Sequence, residues 1–209
     1  MSNPVPIQYG KFYHIYNRGI NGENLFVEER NYRYFLQLYI QHIHPVANTY
    51  AYCLLRNHFH LLVRMKTVTE FEQDLSGGTN ETCQNMTPLK PPHQYFSNFF
   101  NAYTKSINKA YGRTGALFER PFRRVEVIGK TYFKNVVAYI HRNPQHHGFV
   151  DDFREWPYSS YDVVLTEKPT RLQRDVVLDW FGGPQEFLDM QQSSVTLAAL
   201  FTLEDDFHT

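Results

Sequence analysis

Two histidines one residue apart, His58 and His60 in RNHFHLLV, open a run rich in β-forming and apolar residues. Side chains at i and i+2 of a strand leave from one face, so the two imidazoles project together while Phe59 enters the opposite layer. Two nearby ring nitrogens can hold one divalent ion, or they can form an ordinary solvated or hydrogen-bonded pair. A second group lies in TYFKNVVAYIHRNP, where Tyr139 and Asn143 are four residues apart and stack on one helical face. Tyr132 sits two turns before Tyr139 on nearly the same stripe, as a rival for any nucleophilic role. Each tyrosine also fits a helix core, and Asn143 before Pro144 fits a plain helix end. His141, His146 and His147 can carry protons or contact phosphate if they face a site, and are surface residues if they do not.

A third group is basic. Between Tyr103 and Pro144, Lys105, Lys109, Arg113, Arg120, Arg123, Arg124, Lys130, Lys134 and Arg142 are opposed only by Glu119 and Glu126, with Phe118, Phe122 and Tyr132 among them. Such charge attracts phosphates regardless of sequence, and exposed rings offer stacking for unpaired bases. Arg18, at the turn ending the first expected strand, joins this set as a candidate DNA contact. A solvated basic face is the alternative reading.

These groups need elements to position them. KFYHIYN at 11–17 alternates and reads as a strand; 29–44 carries apolar residues at helical spacing and closes at Pro45. YAYCLL at 50–55 and HFHLLV at 58–63, separated by Arg56-Asn57, predict a hairpin. Residues 66–92, rich in Thr, Gly, Asn and Pro, predict a long surface loop. A helix follows over 93–111, then a strand over 120–128, a helix over 130–142 ending at Asn143-Pro144, and a short helical segment over 171–181. The βαββαβ part of that order predicts an α+β, ferredoxin-like core: a four-stranded antiparallel sheet, both crossover helices on one face, and one added helix.

Composition narrows the class. With 209 residues, 42% hydrophobic and 16% aromatic, the chain can bury a real core and is unlike disordered sequences. Its zero net charge hides a division: residues 1–150 carry 17 basic and 9 acidic groups, residues 151–209 carry 4 and 12. A basic body is thus expected over 1–150, with an acidic C-terminal appendage over 151–209. Two cysteines, Cys53 and Cys83, make no disulfide framework and point to a reducing cytoplasm, and no run suits a membrane span or an export signal.

Together, RNHFHLLV after a hydrophobic strand, RTGALFERPFRRVEV, and VVAYIHRNPQHHGFV running into EWPYSSY resemble the single-tyrosine HUH transposases, particularly the REP-associated tyrosine transposase branch. The resemblance covers about residues 9–161. It implies a divalent metal on His58 and His60, a third, polar ligand at Asn143, Tyr139 as nucleophile, and single-stranded or hairpin DNA as substrate. The mixed nitrogen and oxygen donors suit Mg²⁺ or Mn²⁺ better than structural zinc. Tyr139 is preferred over Tyr132 because its i+4 neighbour is Asn143, whereas that of Tyr132 is Val136. The competing class is a non-catalytic protein that binds a DNA hairpin without cutting it. A two-histidine phosphoesterase would require a second HxT-like motif, which the sequence lacks. Completion of the site within one chain or across a homodimer is open at this level.

Overall fold

The computed structural model describes residues 5–75 and 90–192. Four strands, β1 (Phe12–Arg18), β2 (Ala47–Leu54), β3 (His58–Met65) and β4 (Arg123–Glu126), form one sheet in the order β2-β3-β1-β4 with every pairing antiparallel. This is the ferredoxin-like order expected from the sequence. Register sets Tyr16 opposite His60 and Arg18 opposite His58 across β1 and β3, and Cys53 opposite His60 across β2 and β3.

Strand alternation divides two cores. On one face Tyr13, Ile15, Phe59, Leu61 and Val63 meet helices α1 (Glu29–His42) and α3 (Pro92–Tyr111). Phe35, Tyr39, Phe99, Phe100 and Tyr103 recur at helical spacing and place a continuous aromatic stripe on that face. Pro92 opens α3, and Gly112, with φ +63°, closes it in the left-handed conformation a helix C-cap favours. On the other face Leu62, Ala51 and Cys53 meet α4 (Lys130–His146).

Helix α4 is covered on its far side as well. A short turn at Phe153–Glu155 and helices α5 (Tyr161–Leu165), α6 (Arg174–Phe181) and α7 (Pro184–Gln192) bury Phe153, Tyr161, Val164, Val177, Phe181 and Phe187 against it. Residues after 151 are acidic in composition, but those described, up to 192, dock through their apolar side chains. Their backbone also reaches β2 at the sheet edge: Leu54 N–H donates to Tyr158 O (3.0 Å), Ser160 N–H to Tyr52 O (2.9 Å) and Gln173 N–H to Thr49 O (2.8 Å).

Three expectations are corrected. The 66–92 loop contains helix α2 (Val68–Leu75), capped reciprocally by Thr67 and Glu70: Thr67 N–H donates to Glu70 Oε2 (2.7 Å) and Glu70 N–H to Thr67 Oγ1 (3.2 Å). The rest of that loop from 76 to 89, and the appendage beyond 192, lie outside the described residues. The fourth strand is shorter than 120–128, because only Arg123–Glu126 pairs with β1. Helix α4 does not stop before Pro144 but continues to His146, with Pro144 inside it and wholly packed. Proline lacks the N–H that would bond four residues back, a loss tolerated so close to a helix end, and tertiary packing outweighs the local preference of Asn143. Among the described residues no helix is long and apolar enough to cross a membrane.

Candidate active site

His58 and His60 leave β3 toward α4, while Phe59 enters the opposite core among Phe35, Phe100 and Phe118. The two imidazole centroids are 5.3 Å apart with rings near perpendicular. Tyr139 and Asn143 descend from α4 onto this face. The Tyr139 ring stands edge-on to His60 (5.5 Å) and to His14 (5.7 Å), and Asn143 Oδ1 lies 3.0 Å from His58 Nε2. One locus therefore gathers His58, His60, Tyr139 and Asn143, from a strand and a helix far apart in sequence, His58 and Asn143 being separated by 85 positions.

Tyr132 is not part of it. Half-buried, it packs with the apolar cluster around Phe133 and Val136, and burial raises its hydroxyl pKa. His141 is also elsewhere: wholly buried on the back of α4, it has Nε2 2.9 Å from Ser160 Oγ and its ring against Tyr161 and Phe187. Burial pushes its pKa down to about 3, so it is a neutral core group and not a phosphate contact. His147 is exposed with its ring 4.6 Å from that of His58, at the rim of the site, and His146 neighbours it at 5.1 Å.

Two contributors were not singled out from sequence. His14 of β1 holds His60, with His14 Nε2 and His60 Nδ1 3.0 Å apart, and stacks on Tyr16 at 4.8 Å. Asn57, in the hairpin turn, has Oδ1 2.8 Å from His58 Nδ1. The alternation of KFYHIYN puts His14 and Tyr16 on one face, but which strand that face adjoins is a matter of tertiary register.

These contacts test the site for a metal. Asn57 Oδ1 can only accept, so His58 Nδ1 donates to it, and Asn143 Oδ1, likewise an acceptor, lies 3.0 Å from Nε2. A second ring proton on Nε2 satisfies that contact, and a divalent cation taken by both Nε2 and Oδ1 would satisfy it as well. Asn143 Nδ2 is buried without a hydrogen-bond partner, consistent with an amide oriented for its oxygen. With His14 on Nδ1 of His60, Nε2 is the nitrogen a metal would take. Asn57 and His14 thus stand where outer partners fix the rings of metal-bound histidines. Among the described residues no three His, Cys, Asp or Glu side chains converge to hold an ion, and beside His58 and His60 the Asn143 amide oxygen is the further protein donor at this locus.

The basic residues do not share one surface. Arg123 of β4 is opposite Tyr16, which by alternation places it and Arg18 on the histidine face of the sheet. Arg18 Nε also binds Glu119 Oε1 at 2.5 Å. Lys105, Lys109 and Arg113 belong to α3 and its C-terminal turn on the other side, where Arg113 pairs with Glu23. Arg120 and Arg124 line a cavity of about 530 Å³ between α3 and residues 116–122; Arg124 also lies over the Phe122 ring and donates to Val5 O (2.6 Å). Lys130 is exposed at the start of α4, and Lys134 reaches Phe181 O at 3.4 Å in the C-terminal layer.

No family model matches the chain. A Haemophilus influenzae protein named among the REP-associated tyrosine transposases is 27% identical over 146 residues, 68% of this chain and 70% of that relative. A solved structure described as a REP-associated tyrosine transposase bound to a REP hairpin matches with TM-score 0.57, over 81% of this chain and 88% of that one, at 14% identity. That second likeness is one of fold.

Proposed function

We propose that this chain, which is similar to the REP-associated tyrosine transposases in sequence and in fold, nicks and rejoins single-stranded DNA beside a hairpin through Tyr139. The observation that carries the reading is the placement of the Tyr139 ring edge-on to His60 and His14, on the face where His58 meets Asn143. The Tyr139 hydroxyl oxygen attacks a backbone phosphorus. An O–P bond to tyrosine forms as the bond from phosphorus to the 3′ oxygen breaks, the tyrosine proton passes to a neighbouring base, and the 3′ oxygen leaves as a hydroxyl after taking a proton. The phosphate ester is conserved, so a later 3′-hydroxyl can reverse the exchange without nucleotide fuel.

A Mg²⁺ or Mn²⁺ ion held by His58, His60 and Asn143 would supply polarisation of the scissile phosphate. His14 and Asn57 fix the ring orientations of the two histidines. Arg18 and Arg123, on the histidine face of the sheet, would meet phosphates near Tyr139, and the cytoplasm is where such a protein would meet its DNA.

Incubated with Mn²⁺ and a labelled hairpin bearing single-stranded flanks, the protein is expected to give a denaturation-resistant DNA adduct. Tyr139→Phe should abolish it and Tyr132→Phe should retain it. One observation favours a second reading, a hairpin-binding protein that does not cut: Tyr139 is only 2% exposed. Hairpin binding without an adduct, across a range of hairpins, would select that reading.

A further inference from the structure

One buried polar pair is unused by this chemistry. His141 and Ser160 are both fully buried in a mostly apolar cluster, with the buried Gln191 of α7 as a further polar neighbour of His141, and polar groups there are costly unless hydrogen-bonded. Ser160 Oγ accepts the Tyr52 N–H at 2.8 Å, so its own proton is available for His141 Nε2 at 2.9 Å. The Ser160 backbone is bound to the same residue, its N–H donating to Tyr52 O at 2.9 Å. Trp156 Nε1–H donates to Leu54 O (2.9 Å) and Leu54 N–H to Tyr158 O (3.0 Å), so residues 156–160 form a strap along the edge of β2. From the strap, the Ser160 side chain reaches α4 by its hydrogen bond to His141.

His141 lies two residues after Tyr139 and two before Asn143. Positions two apart on an α-helix are turned about 200° from one another, so His141 grips the back of the helix whose front carries both site residues. Apart from Tyr139 and Asn143 themselves, α4 packs on the sheet through apolar side chains such as Phe133, Val136, Val137 and Ile140, and apolar packing is not directional. A helix held by such contacts alone can turn or slide slightly at little cost, whereas a hydrogen bond to a group fixed on the sheet edge defines its rotation. We infer that Ser160 and His141 are positioning residues: a clasp through which the C-terminal segment holds α4 in the rotation that brings Tyr139 and Asn143 to the β3 histidines. The inference rests on Tyr139 being the nucleophile.

The test uses the full chain, with Ser160→Ala, His141→Leu and His141→Gln, the last keeping an acceptor for the Ser160 hydroxyl. At saturating hairpin DNA and Mn²⁺, the first two variants are expected to form the tyrosyl adduct at least about tenfold more slowly, since small misplacements of reacting groups carry large rate costs. Hairpin affinity should stay within about twofold, the Mn²⁺ concentration for half-maximal rate should rise, and His141→Gln should recover most of the loss. The double variant Ser160→Ala/His141→Leu should be no slower than the worse single one, as expected of residues acting through one contact. Melting curves identify the folded fraction, and rates are taken per folded molecule. Lower melting temperatures with unchanged rates and unchanged Mn²⁺ dependence would reduce the pair to a structural role and overturn the inference, as would additive losses in the double variant. Absence of an adduct from the unaltered protein would instead overturn the nucleophile reading, and the clasp's role in the reaction with it.

Discussion

His14 shows how much of a site can rest on a residue that does no chemistry itself. Its Nε2 holds His60 Nδ1 at 3.0 Å and its ring is stacked on Tyr16, so the His60 ring is turned by a partner on the adjacent strand. His14→Phe keeps the stacking and removes the nitrogen. Loss of such outer partners typically costs ~10–100-fold in metal affinity, and that weakening of Mn²⁺ binding is the expected result in titration calorimetry. Tyr139→Phe removes no proposed ligand and should bind Mn²⁺ as the unaltered protein does. At this scale the HxH pair and the Tyr139–Asn143 spacing were legible, because strand and helix periods alone determine which side chains share a face. His14 and Asn57 were not. Each acts through a contact fixed by the β1–β3 register or by the hairpin turn, and neither belongs to a spacing motif.

Among the elements, α2 was read as loop because its sequence, VTEFEQDL, is short and lies beside a run of Gly, Asn and Pro. Its stability is borrowed from Glu70, which caps the helix and takes Arg64 through both oxygens at 2.5 and 3.1 Å. The hydrogen bonds from Arg64, followed by that from the Thr67 N–H, hold the Glu70 carboxyl down at about 2. A carboxylate depressed in the folded state contributes stability that is present above its ordinary value of 4.5 and lost as pH falls toward 2. The pair is partly solvated, so the contribution is about 1 kcal/mol. Hydrogen exchange over 68–75 is expected to quicken between pH 4.5 and 2 beyond the intrinsic trend, and Glu70→Gln should bring the faster exchange to neutral pH. Unchanged protection in that variant would show α2 to be held by other contacts. The extension of α4 through Pro144 was likewise not readable, because the preference of an X-Pro step is local and the packing that overrides it is not.

For the molecule as a whole, the charge division predicted a basic body and an acidic appendage, and said nothing of how they meet. Phe187, Phe181 and Val177 show the junction to be apolar core, with α4 enclosed between sheet and C-terminal helices. Phe187→Ala is expected to cost about 3–5 kcal/mol, read as a lower urea midpoint for the whole chain. A loss confined to the C-terminal helices would mark them as a separately folding layer. The basic residues, contiguous in sequence, are spread over both sides of the sheet. Charge reversal at Arg123 should therefore lower both hairpin affinity and its salt dependence more than reversal at Lys105.

The hydrogen bonds that residues 158–160 and 173 make to β2 have a further consequence, for solubility. An uncovered outer strand presents backbone groups that another chain's strand can pair with, and β2 is long and rich in aromatic and β-branched residues. A chain ending before Trp156 would bare that edge. Such truncated products should associate edge to edge and sediment as β-rich assemblies, while point variants in α6 or α7 that leave residues 158–160 in place should stay dispersed. The last quarter of the chain would then guard the sheet against its own copies.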